Sequence, residues 1–279
     1  MTRKGGRRLL GLLLLCLAVL PPGAASGQEK PSLQDRFPPP WDFALRTFGD
    51  DSLYLLTSPL RMTGEDVLVV GGVGALIGGL LLVDRPIRDE VRHPRDDAFR
   101  DAASAVSLMG FAPVLLGANV SGIVVGEAVR QAGGSSKHLE TALVATEAQL
   151  FTLGISEGIA YLTARSRPTG GADPFRFEFG RTSFPSSHAS QAFAVAAVVA
   201  HRYEQPVPVI AYGLAGAVGL SRLVLDKHWA SDVVAGAALG WAIGRALSVR
   251  HSSPHGYLDF FPFADLRTGS YGIVLRGEF

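Results

Sequence analysis

Cysteine is almost absent from this chain. The single one, Cys16, lies inside an apolar run near the N-terminus. That excludes an internal disulfide framework and a cysteine-ligated metal cluster. Charge is scarce as well: Asp, Glu, Lys and Arg make up 18% of the residues, below the usual globular share. The net charge of +1 gives no footing for a nucleic-acid partner. Also missing from the middle of the chain is the two-residue alternation of half-buried strands. What remains is apolar, with 47% hydrophobic residues and 33 glycines in 279 positions. That balance suits a membrane-embedded helical bundle, with a soluble bundle of very apolar core as the alternative.

The N-terminus has the layout of an export signal. Arg3, Lys4, Arg7 and Arg8 precede an apolar run over 9–20, and the small residues Gly23, Ala24 and Ala25 follow it. Residues 1–25 are therefore expected to be a signal peptide cut near Ala25. The run is shorter than the roughly 20 residues that span a bilayer, and an uncleaved anchor is the competing reading. Either way the chain is directed to a bacterial-type cell envelope. The inner membrane with a periplasm-facing site is the expected location, and a soluble periplasmic protein is the alternative.

Residues 26–60 read as a proline-rich linker followed by an amphipathic segment with Trp41, Phe43, Leu45 and Phe48 among acids. Six apolar segments of helical length follow, near 67–83, 104–128, 139–163, 188–201, 207–221 and 232–247. They predict an all-α, six-helix, membrane-embedded bundle over 61–248. Small residues four apart, Gly74 with Gly78 and Gly236 with Gly240 and Gly244, let helix backbones approach closely. The third segment carries Glu140, Glu147, Gln149 and Glu157, which is costly in lipid unless those groups face protein. The tail, 249–279, is aromatic and partly alternating around Arg267-Thr268-Gly269, and predicts a short β-hairpin.

Polar residues gather at the ends of these segments. His228 and Asp232 stand four apart, which on a helix puts them on one face. A carboxylate there can fix the imidazole tautomer and leave the other nitrogen as a nucleophile. Arg222 and Arg167 each offer a planar fork for two phosphate oxygens. Pro168 biases Arg167 out of helical geometry, so it marks the end of the third helix. Pro185-Ser186-Ser187-His188 opens the fourth helix. Ser186 suits an N-cap, the free N–H groups behind it favour a phosphate, and His188 is placed to protonate a leaving oxygen. Each piece alone has a bland structural reading; together they describe a phosphate-handling site.

These residues resemble the signature of the type 2 phosphatidic acid phosphatase family, which also includes class A acid phosphatases and vanadium haloperoxidases. That signature is Lys, six residues, Arg-Pro; then Pro-Ser-Gly-His; then Ser-Arg, five residues, His, three residues, Asp. The third part is complete as Ser221, Arg222, His228 and Asp232. The resemblance implies a helical, metal-independent phosphatase without a cofactor, acting on a lipid phosphate or another phosphorylated small molecule at a membrane. It implies His228 as nucleophile, Asp232 as its orienting group and His188 as proton donor. Arg167, Ser186, Ser187 and Arg222 would bind the phosphate. Two positions depart from the pattern: Ser187 replaces the glycine, and Ala160 replaces the lysine. Losing that cation implies reduced turnover, or a substitute among Arg165, Arg176 and Arg181. A phosphate-lipid binding protein with a weakened site is thus one alternative, and a vanadate-dependent haloperoxidase is another. The sequence leaves the oligomeric state open.

Overall fold

Proline and glycine divide the apolar stretches more finely than periodicity alone does. The computed structural model describes residues 40–91, 97–169, 173–180, 182–252, 258–265 and 270–277. The expected signal segment, the linker up to residue 39, Arg181 and the Arg267-Thr268-Gly269 turn lie outside the described residues. Among the described residues there are eight α-helices, not six. They are α1 (Pro40–Thr57), α2 (Gly64–Val91), α3 (Asp97–Leu108), α4 (Ala112–Gln131), α5 (Lys137–Thr163), α6 (Ser187–Arg202), α7 (Val207–Val224) and α8 (Ala230–Arg250).

Two causes raise the number. The amphipathic segment before residue 60 forms α1, and the stretch 104–128 is broken in two. α3 stops at Leu108, and α4 begins at Ala112 with a proline in its first turn, where its fixed φ suits a helix start. Gly110 sits in the break because the chain passes tightly over α6 and α7. A Cβ there would come 2.4 Å from Val218 Cγ1 and 3.0 Å from the His188 carbonyl oxygen.

α6 and α8 form the centre. Gly236, Gly240 and Gly244 line one face of α8, and Cβ atoms on them would lie 2.5 Å, 1.8 Å and 2.4 Å from the carbonyl oxygens of Ser186, Ser190 and Ala194. Backbone therefore meets backbone, as the four-residue spacing predicts. Gly74 and Gly78 behave differently: nothing lies within 4 Å of a Cβ built on either, so that pair mediates no contact among the described residues. Around the centre, α5 contributes Val144, Ala145 and Ala148. α7 contributes Ala215 and Val218, and the end of α2 contributes Ile87 and Val91.

Four helices, α2, α4, α7 and α8, are long and apolar enough to cross a membrane. α2 exposes Val67, Leu68, Val69 and Val70, a surface that a bilayer covers at no cost in apolar hydration. α5 and α6 are not among the four. α5 instead buries Glu140, Glu147 and Gln149 against protein. In the tail, β1 (Leu258–Asp265) and β2 (Ser270–Gly277) pair antiparallel, with Leu258 opposite Gly277.

Candidate active site

α7 ends at Val224, and the chain turns sharply before α8 begins at Ala230. Asp226 takes a left-handed φ of 55° in this turn, a conformation that Asp tolerates better than most residues. Arg88 of α2 grips its carboxylate twice, Nε to Oδ1 at 2.6 Å and Nη2 to Oδ2 at 2.8 Å. His228 follows in the turn itself, and Asp232 sits in the first turn of α8. The sequence spacing therefore does not place the pair on one helical face, because the helix begins only after His228.

The consequence is a different set of hydrogen bonds. Nδ1 of His228 lies 2.8 Å from the carbonyl oxygen of Ser183. A carbonyl only accepts, so Nδ1 carries the proton and Nε2 keeps its lone pair. The Asp232 carboxylate is 3.7 Å from Nδ1, too far for a hydrogen bond. It accepts instead from Ser183 Oγ at 2.6 Å and from the Trp229 N–H at 2.9 Å. Burial lowers the pKa of His228. Asp232 opposes that shift, and Arg222 and Arg167 reinforce it. The imidazole is neutral at ordinary pH.

A cavity of about 280 Å³ is lined by Arg167, Ser187, His188, Arg222 and His228, together with Phe111, Glu157, Ala160, Thr182 and Gln191. Five of the seven residues singled out from sequence thus share one space. Asp232 stands behind His228, fully buried. Ser186 is the N-cap of α6 and makes no side-chain cap bond. It is off the cavity wall, and its Oγ is buried without a hydrogen-bond partner.

Arg222 comes from the last turn of α7. Its Nη1 donates to Ser107 Oγ of α3 at 2.6 Å, while its Nε is buried without a partner. A buried, incompletely bonded guanidinium on a cavity wall invites an anion. Arg167 reaches the cavity from the strand-like segment after α5, with Nη2 3.5 Å from the Thr182 carbonyl oxygen. His188 lies in the first turn of α6 and stacks on Phe111 at 6.1 Å. Burial, then the charges of Arg222, His228 and Arg167, lower its pKa to about 3.

Ala160 faces the cavity, so the position of the missing lysine does belong to the site. Of the three proposed substitutes, Arg181 lies outside the described residues, and the other two do not fill it. Arg165 is buried away from the cavity and bound to Asp84 and Asp232. Arg176 pairs with Glu178 on the surface. Glu157 was legible only as a charge in an apolar helix. It lies one turn before Ala160 and shares its face, which is the signal that could have placed it in the site.

Elsewhere, one cluster among the described residues has ligand-like spacing. Asp51, Glu147 and His251 bring one donor atom each within 4.8 Å of one another. His251 Nε2 lies 2.9 Å from Asp51 Oδ2 and 3.1 Å from Glu147 Oε2, and Arg250 pairs with Asp51 as well. The imidazolium and guanidinium face the Asp51 carboxylate, and Glu147, pushed up to about 7 by burial, shares the imidazole, so the group joins α1 to α5 and α8. None of its residues lines the cavity.

Residues 141–253 match the PAP2 superfamily. A lipid A 1-phosphatase of Porphyromonas gingivalis is 39% identical over 87 residues, which is 30% of this chain and 18% of that protein. A decaprenylphosphoryl-5-phosphoribose phosphatase of Mycobacterium tuberculosis is 34% identical over 103 residues, 37% of this chain and 56% of that protein. The alignments thus span less than two thirds of either relative. The crystal structure of a transmembrane PAP2-type phosphatidylglycerolphosphate phosphatase from Bacillus subtilis superposes with a TM-score of 0.50 at 21% identity, covering 64% of this chain and 94% of that one. That likeness is one of fold.

Proposed function

We propose, from the match of residues 141–253 to the PAP2 superfamily, that this chain is a membrane phosphatase that hydrolyses a phosphate ester or diphosphate of an envelope lipid. The observation that carries the proposal is the meeting of Arg167, His188, Arg222 and His228 on one cavity, with Nδ1 of His228 already committed to a carbonyl. The phosphatase domain is 61–248, with α1 and the C-terminal tail as additions. By analogy with exported relatives the site faces the periplasm, which requires that the N-terminal signal is kept as a span or that some apolar segments do not cross. A reporter fused after residue 203, compared with one at the C-terminus, tests that orientation.

The chemistry proceeds in two displacements. Nε2 of His228 attacks phosphorus; the P–N bond forms as the ester P–O bond breaks. His188, protonated in the loaded site, gives its proton to the departing oxygen. Water then attacks the phosphohistidine, His188 takes the water proton, and the P–N bond breaks to release phosphate. Arg167, Arg222 and the N–H groups at the start of α6 hold the equatorial oxygens. The lipid specificity rests on the apolar helices and on Phe175, Phe177 and Phe179, exposed in the segment before α6, where aromatic rings suit a membrane interface.

A second reading is favoured by Ala160 and Glu157 on the cavity wall: a phosphate-lipid binding protein with weak turnover. The test is phosphate release by purified protein from phosphatidate and from a polyprenyl diphosphate. Release well above a His228→Ala control supports the enzyme. Saturable binding of the same lipids without release supports the second reading.

A further inference from the structure

Asp84 is a carboxylate in the last third of α2, outside the segment that matches the superfamily, and it is wholly buried. A buried carboxylate persists only where its oxygens are satisfied. Oδ1 accepts the Ser231 N–H at 2.9 Å, and Oδ2 accepts Ser231 Oγ at 2.5 Å and Arg165 Nη2 at 2.7 Å. Asp84 thus caps the start of α8 from another helix and anchors one arm of Arg165.

The guanidinium of Arg165 spends its whole fork on this neighbourhood. Nε donates to the Pro174 carbonyl at 2.9 Å, Nη1 to Ser231 Oγ at 2.7 Å and to Asp232 Oδ1, and Nη2 to Asp84. Its own carbonyl accepts the Ser183 N–H at 3.0 Å. Ser183 is consequently held on three sides: by Arg165 through its N–H, by Asp232 through Oγ at 2.6 Å, and by His228, which donates to its carbonyl at 2.8 Å. Arg165 meets the imidazole's supports through hydrogen bonds to Asp232 and Ser183, and its guanidinium also lies 5.7 Å from the ring of Trp229, next to His228.

We infer that Arg165 and Asp84 are positioning residues that set the tautomer of His228 by holding Asp232 and Ser183 in place. The inference rests on the reading of His228 as the nucleophile. Arg165 contributes nothing to phosphate binding and does not replace the missing lysine. Lysine cannot serve in its place, because one ammonium cannot reach Asp84, Asp232 and the Pro174 carbonyl together.

The test is a double-mutant cycle. Arg165→Lys alone is expected to lower kcat by about tenfold to a hundredfold with KM within about twofold. In an Asp232→Ala background the same change is expected to cost less than about twofold, because no side chain at 232 is then left for Arg165 or Ser183 to hold. Asp84→Asn is expected to follow the same pattern, and it serves if thermal melting shows that Arg165→Lys does not fold. Nitrogen-15 spectra of labelled histidines give an activity-free readout: His228 is expected to hold one Nδ1–H tautomer in the wild type and a mixture in either variant. Equal kcat losses in both backgrounds, or an unchanged tautomer in both variants, overturn the inference. If the wild type releases no phosphate, the phosphatase reading fails on its own, and the tautomer measurement still decides this one.

Discussion

His228 gives its Nδ1 proton to the Ser183 carbonyl at 2.8 Å, while the Asp232 carboxylate stands 3.7 Å away. The carboxylate therefore aims the imidazole indirectly, by fixing Ser183 and the Trp229 N–H, and supplies charge across a short gap. Replacing Asp232 by Asn removes the charge but leaves an acceptor for Ser183. The expected outcome is a kcat loss of about tenfold to a hundredfold with little change in KM. Steady-state kinetics on a soluble short-chain lipid phosphate measure both. A loss confined to KM contradicts this arrangement.

His188 is neutral in the empty cavity, with a pKa of about 3, because burial and the cations Arg222 and Arg167 disfavour its charge. A bound phosphate dianion reverses the local sign. The pKa is expected to rise by about 1–3 pH units when vanadate or phosphate occupies the cavity. Bound substrate thus favours the imidazolium form that proton donation needs. Histidine NMR titrations with and without vanadate check this, and an unmoved His188 resonance removes it as the proton donor.

Ala160 occupies the place of a cation on the cavity wall, with Glu157 one turn before it. Ala160→Lys is expected to raise kcat by about tenfold or more, since a preorganised donor is commonly worth several kcal/mol in the transition state. Glu157 can pair with the new ammonium at the (i, i+3) spacing. Phosphate release measured beside wild type decides the matter. No gain means that the two arginines already supply the needed charge.

The ion cluster at the far end gives a pH signature. Burial disfavours the charge on His251, but its contacts to the carboxylates of Asp51 and Glu147, which accept from the imidazolium, outweigh it and raise its pKa from 6.5 to about 9. A folded-state pKa above the unfolded one means stabilisation present in full below about 6.5 and lost as pH rises through about 9. The docking of α1, which carries Asp51, is expected to loosen over that window. Hydrogen exchange of α1 amides against pH is the measurement. His251→Gln is expected to remove the loosening near pH 9 while leaving some docking through Arg250 and the titration of Glu147, which burial pushes up to about 7.

The Ser221–Asp232 stretch was legible because its parts are near one another in sequence and each has a recognisable chemistry. The close approach along Gly236, Gly240 and Gly244 was legible for the same reason: one helix face repeats. Other features depend on contacts that no local pattern encodes. Gly110 breaks a helix only because α6 and α7 pass beneath it. Ser183 has no motif of its own, and its role comes from a carbonyl that happens to face His228. Asp84 reads as a boundary charge at the end of an apolar run, and its burial depends on Arg165, 81 positions away. The four-residue spacing of His228 and Asp232 misled about their geometry, since spacing carries no information on where a helix starts.

Trapping the covalent intermediate is the most direct measurement. Purified protein is mixed with a lipid phosphate, quenched within milliseconds in alkali, digested and read by mass spectrometry. Phosphate on the peptide bearing His228, absent from a His228→Ala variant that also releases none, is the expected result. Undiminished release by His228→Ala, with no phosphorylated histidine in the wild type, would contradict the central claim.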